Sequence, residues 1–107
     1  MSKYFKNIES NMNEDFLNLL DEAREYAGIP FIINSSYRSP THIESIKNPT
    51  SSHIKGLAVD ISVKDSVTRF KVLNSLIAVG FTRLGIASTF IHVDLDFDKT
   101  QNVIWTY

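Results

Sequence analysis

Two stretches of the chain alternate apolar and polar residues with a period of two. Leu57, Val59, Ile61 and Val63 fall on one side of an extended segment, with Ala58, Asp60 and Ser62 on the other. Ile91, Val93, Leu95 and Phe97 alternate in the same way with Phe90, His92, Asp94 and Asp96. Each pattern predicts a strand with one greasy face and one polar face. Helical spacing also appears twice. Asn11, with Glu14 three residues on, reads as a capping box for a helix carrying Met12, Phe16, Leu19, Leu20, Ala23 and Ala27. Gly28 stands where that helix would stop. Asp65 or Ser66 caps a second helix, with Val67, Phe70, Leu73, Leu76 and Ile77 on its buried side and Gly80 at its end.

Shorter signals fill the rest. Ile29 to Asn34 reads as a buried strand around Phe31-Ile32-Ile33, Phe81 to Ile86 as another, and Val103 to Tyr107 as a closing edge strand. Between Ser35 and Ser52 the composition turns to Ser, Thr, Asn and Pro, which predicts a long loop. Loops beyond about 12–15 residues are uncommon in compact domains and are often functional. The order α-β-loop-β-α-β-β-β predicts an α+β fold, a small antiparallel sheet with helices packed on one face. A chain of 107 residues is expected to form a single domain over 1–107.

Composition narrows the chemistry. A formal charge of −1 leaves no excess of Lys and Arg to neutralise phosphates, which argues against broad nucleic-acid binding. The absence of cysteine excludes disulfides and restricts any zinc ligation to His, Asp and Glu. The first residues hold no apolar run of signal-peptide length and no later segment could span a bilayer. The expectation is synthesis in the cytoplasm, no membrane insertion and a monomer.

On the polar strand faces, Asp60 and His92 would project from a shared sheet, and His53, seven residues before Asp60, needs only a turn at Gly56 to join them. Two imidazoles and one carboxylate would leave the fourth position of a tetrahedral zinc open, as a catalytic site requires. Ala58 keeps the surface beside Asp60 low. Competing readings exist: a strand histidine is more often a surface or hydrogen-bonded residue, and His42, in Ser39-Pro40-Thr41-His42, reads as loop surface. Asp94, Asp96 and Asp98 suggest a calcium loop only weakly, because the Gly and Glu that an EF-hand needs are missing.

Ser35-Ser36-Tyr37-Arg38-Ser39-Pro40, Ser52-His53-Ile54-Lys55-Gly56-Leu57-Ala58-Val59-Asp60 and Phe90-Ile91-His92-Val93-Asp94 together resemble the zinc D-alanyl-D-alanine carboxypeptidase and L-alanyl-D-glutamate endopeptidase family. These are peptidoglycan peptidases with a hedgehog-like fold, whose small members include bacteriophage lysis enzymes. The resemblance covers residues 35 to 94. It implies Zn2+ held by His53, Asp60 and His92, a role for Arg38 in binding substrate and stabilising charge on the scissile carbonyl, and cleft-lining hydrogen-bonding roles for Ser36 and Ser52. Ser52 could equally cap the turn before His53.

One position departs from the family pattern. Many members carry Glu or Asp three residues before the last histidine as general base, and here that position is Thr89. Asp94, on the same strand face as His92, is the nearest substitute. It could instead hold a ligating imidazole from outside the metal's own shell; Asp96 is a more distant candidate. The expected activity is hydrolysis of a peptide bond in peptidoglycan stem peptides, as a carboxypeptidase or an endopeptidase. The alternative is a zinc-stabilised domain that binds cell-wall peptides or a protein partner without turnover. Action at the bacterial cell wall would follow release from the cytoplasm.

Overall fold

A computed structural model describes all residues, 1–107. After a single 3-10 turn at Lys6–Ile8, the elements are α1 (Glu14–Ala27), β1 (Ile33–Ser35), α2 (Ile43–Lys47), β2 (Ala58–Ser62), α3 (Ser66–Ala78), β3 (Arg83–Ile86), β4 (Phe90–Asp94) and β5 (Val103–Thr106). The strands form one sheet in the order β1-β2-β4-β3-β5. This is the expected α+β class, with one correction: β3 and β5 pair in parallel, so the sheet is mixed and not purely antiparallel. The reason is topological. β4 is already flanked by β2 and β3, and a returning chain runs opposite to β4. The open edge within reach belongs to β3, itself antiparallel to β4, so the last strand must lie parallel to it.

One core holds the layers together. Phe16, Leu17, Leu20 and Ala23 of α1 and Val72 and Leu76 of α3 pack with Val59, Ile61, Leu84, Ile91 and Val93 of the sheet. The greasy faces of β2 and β4 therefore turn toward the helices, and their polar faces turn away, as the alternation predicts. Both helix starts follow side-chain caps, though the first differs from expectation. Asn13, not Asn11, accepts the Phe16 amide at 2.9 Å, while Asn11 adopts a left-handed conformation at φ 63°. Asp65 caps α3 through the Thr68 amide at 2.8 Å.

The buried side of α3 is only partly the expected one: Leu76 is buried and Leu73 packs against the core. Val67 and Phe70 are 66% and 69% exposed, and Ile77 is half exposed. The face that packs carries Val72, Ser75 and Leu76. Ser75 can be fully buried because its hydroxyl donates to the Val72 carbonyl at 2.7 Å, so no polar group is left unpaired. The long polar stretch is not wholly loop either. It contains α2, whose N-cap is His42: the exposed imidazole accepts the Glu44 amide at 3.1 Å.

Candidate metal centre

Asp60 of β2 and His92 of β4 are directly opposed in the ladder, and both point from the face away from the helices. His53 reaches them from a tight turn. The amides of Lys55 and Gly56 donate to the carbonyls of Ser52 and His53, and Gly56 ends the turn at φ +70°. A Cβ on Gly56 would sit 2.1 Å from the Asn11 carbonyl oxygen, so both conformation and space demand glycine there. The Gly56 carbonyl in turn accepts the Asn13 amide at 2.9 Å, which ties the turn to the start of α1.

The three side chains converge. His53 Nε2 lies 3.4 Å and His92 Nδ1 3.1 Å from Asp60 Oδ1. One donor atom from each residue falls within 4.8 Å of the others. Each imidazole is anchored through its remaining nitrogen. His53 Nδ1 donates to the Ser36 carbonyl at 2.8 Å, and His92 Nε2 donates to Asp94 Oδ2 at 2.7 Å. A register irregularity between β1 and β2, at Ile33 and Ser35, immediately precedes that Ser36 carbonyl.

With those protons committed, both neutral imidazoles aim lone pairs at one carboxylate oxygen. Such an arrangement repels itself unless a cation lies between. A proton can do this work as a metal ion can. Burial lowers the pKa of His92, but its hydrogen bonds to Asp60 and Asp94 outweigh the loss and raise it. Burial likewise pushes the Asp60 carboxyl up, yet the two histidines hold it well below the usual carboxylate range. The donor set also suits zinc. Tetrahedral bonds of roughly 2.0–2.1 Å put neighbouring donors about 3.3 Å apart, close to the 3.1 and 3.4 Å found here.

Asp94 is almost fully buried, and both its oxygens are engaged: Oδ2 with His92, and Oδ1 with Arg83 Nε at 2.8 Å and the Asp96 amide at 3.2 Å. Burial raises its carboxyl pKa, and the His92 hydrogen bond and charge more than reverse this. Arg38 Nη2 stands 3.7 Å from Asp60 Oδ2 on the wall of an open cleft of ≈ 360 Å³. Ser52 lines the same cleft, its hydroxyl donating to Asp96 Oδ2 at 2.8 Å. Ser36 does not line it; its contribution is the carbonyl that orients His53. Thr89 lies exposed in the β3–β4 turn, bonded through its carbonyl to the Val63 amide, and is not part of the cleft.

A family model described as peptidase M15 matches residues 3–94. The chain belongs to the peptidase M15 family. No curated protein and no solved structure gives a significant match. In this M15 domain the matched span contains the whole His53/Asp60/His92 cluster and ends at Asp94.

Arg83 and Trp105 of the M15 cleft are not among the residues expected from the sequence. Arg83 sits over the Trp105 ring at 5.0 Å and donates to the Thr100 carbonyl as well as to Asp94. Trp105 itself lies 5.4 Å from the His92 ring. It fits because its partner across the ladder is Gly85, where a Cβ would come within 2.5 Å of the indole nitrogen. The signal that could have found them is period two on β3, which places Arg83 and Gly85 on the face shared with His92. No helix is long and apolar enough to cross a membrane.

Proposed function

We propose that this M15 domain is a zinc peptidase that hydrolyses a peptide bond in the stem peptides of bacterial peptidoglycan. The observation that carries the reading is the convergence of two anchored imidazoles on one carboxylate oxygen, at 3.1 and 3.4 Å, beside an open cleft. His53 Nε2, His92 Nδ1 and Asp60 would hold the ion. Bound there, zinc supplies a Lewis acid and makes water a competent nucleophile near neutral pH.

The chain's own residues supply the rest. Ser36 and Asp94 fix the two imidazoles in the tautomers that leave the ligating lone pairs free. Arg38 sets a guanidinium on the cleft wall, where it can receive the negative charge that develops on the scissile carbonyl oxygen. Asp94, the carboxylate nearest to the role of base, acts in this reading as a positioning residue, because neither oxygen is free to take a proton.

That last point also supports a second reading, in which the domain holds zinc and binds wall peptides without turnover. One experiment separates the two. Zinc-loaded protein is incubated with purified peptidoglycan, and the muropeptides are identified by mass spectrometry. New amino termini after L-alanine mark the endopeptidase and released D-alanine the carboxypeptidase, and a chelator should abolish either. Stoichiometric zinc with retained muropeptide binding and no product leaves the binding domain; folded protein that takes up no zinc overturns both.

A further inference from the structure

We propose that the outer face of α3 is a self-association surface, on which a second copy of this chain lays its own α3 in parallel. The monomer expected from the sequence would then be one partner of a two-fold dimer.

The face is apolar where a solvated helix carries polar groups. Val67 and Phe70 are exposed and Ile77 is half exposed, although the sequence pattern reads all three as buried. From the opposite side of the same helix Val72 and Leu76 fill the core. A helix that is hydrophobic all round is ordinarily covered all round. The apolar surface also continues past the end of α3, where Ile77 lines a groove with Phe81, Leu84, Val103 and Ile104.

The spacing of the face points to the occupant. Val67, Phe70, Asn74 and Ile77 follow at intervals of three, four and three, which is the a/d seam of a coiled coil. The f position of that heptad is Val72, buried in this molecule's own core, so seam and core lie on opposite sides of the helix. No seam residue is charged, and in a parallel pair Lys71 falls opposite Ser66 of the partner, so no like charges meet. Asn74 decides the orientation. A single Asn at an a position sets the register by pairing with its own copy across a parallel two-fold. An antiparallel pair would set it against an apolar d residue, and a lipid surface would leave its amide unpaired.

The size of the surface sets the affinity. Thirteen helical residues span about 20 Å. With its flanks and the groove, the face offers on the order of 500 Å² per copy, against about 800 Å² in a standard interface. Association is therefore expected in the micromolar range or weaker. The metal centre lies on the other face of the sheet, so both clefts stay open and point away from each other. One particle would present two sites to a repeating polymer.

The test is sedimentation equilibrium of the full chain from micromolar to millimolar concentration. A reversible monomer–dimer equilibrium is expected. Phe70→Glu should raise its dissociation constant by about a hundredfold, because each dimer loses two aromatic anchors. Phe70 is exposed in the single copy, so the variant should keep its melting temperature when dilute; Val67→Glu, one turn earlier on the seam, repeats the test independently. The chain has no cysteine, so Asn74→Cys supplies one thiol per copy, and mild oxidation should join two copies through it. A chain that stays monomeric throughout, a dimer indifferent to both seam variants, or a dimer that Asn74→Cys does not cross-link overturns the proposal. Monomer that instead sediments with phosphatidylglycerol vesicles, and loses this in Phe70→Glu, overturns it in favour of a membrane surface.

Discussion

Asp94 gives one oxygen to His92 Nε2 and the other to Arg83 Nε, so the imidazole that faces the metal position is held from behind by a buried ion pair. Such a partner fixes the ring's tautomer and raises its basicity as a ligand, and losing it typically costs about 10–100-fold in metal affinity. Asp94→Asn is therefore expected to weaken zinc binding by about that factor, read by competition with a chromogenic chelator. Were Asp94 the general base, affinity would stay at the wild-type value and only kcat would fall. At this scale the sequence was informative about His53, Asp60 and His92, because two of them lie on alternating strands whose polar face is plain. It left Asp94 between two roles, since a period of two says which face a carboxylate shares but not that Arg83 waits beside it.

The edge strand β5 shows what single elements add. Its parallel pairing with β3 brings Trp105 over Gly85 and against Arg83, forming one wall of the cleft. Gly85→Ala would drive a methyl group into the indole. The expected cost is about 1–3 kcal/mol of stability, the usual range for overpacking, with a shift in the tryptophan emission as the indole moves; unchanged emission and stability would contradict this packing. Alternation made β2 and β4 legible, since each buries one face. The α3 face was legible at Leu73 and Leu76 but misread at Val67 and Phe70, which lie outside because Ser75 satisfies its own hydroxyl on Val72 and packs like an apolar residue. α2 escaped notice because five residues are too few to display a helical period, and the parallel edge because pairing direction leaves no trace in periodicity.

For the molecule as a whole, the His53/Asp60/His92 cluster would be a place where one cation substitutes for another. Protonated His92, its pKa raised by Asp60 and Asp94 against the effect of burial, stabilises the metal-free fold. That contribution is complete below the unfolded value of about 6.5 and is lost as pH rises through the higher folded value. Asp60, held low by both histidines, contributes above roughly pH 4 and loses its share only in stronger acid. Zinc has to displace the proton, so the zinc-induced rise in melting temperature is expected to be larger at pH 8 than at pH 6. Equal increments at the two pH values would rule out the exchange. The ladder pairing of Asp60 with His92 carries a further consequence, for lifetime. These partners are 32 residues apart and meet only once β2 and β4 have zipped together. Where that zipping follows the folding transition state, an ion there would slow unfolding more than it hastens folding. In a chain with no cysteine, it would be a removable cross-link that lengthens the life of the native state.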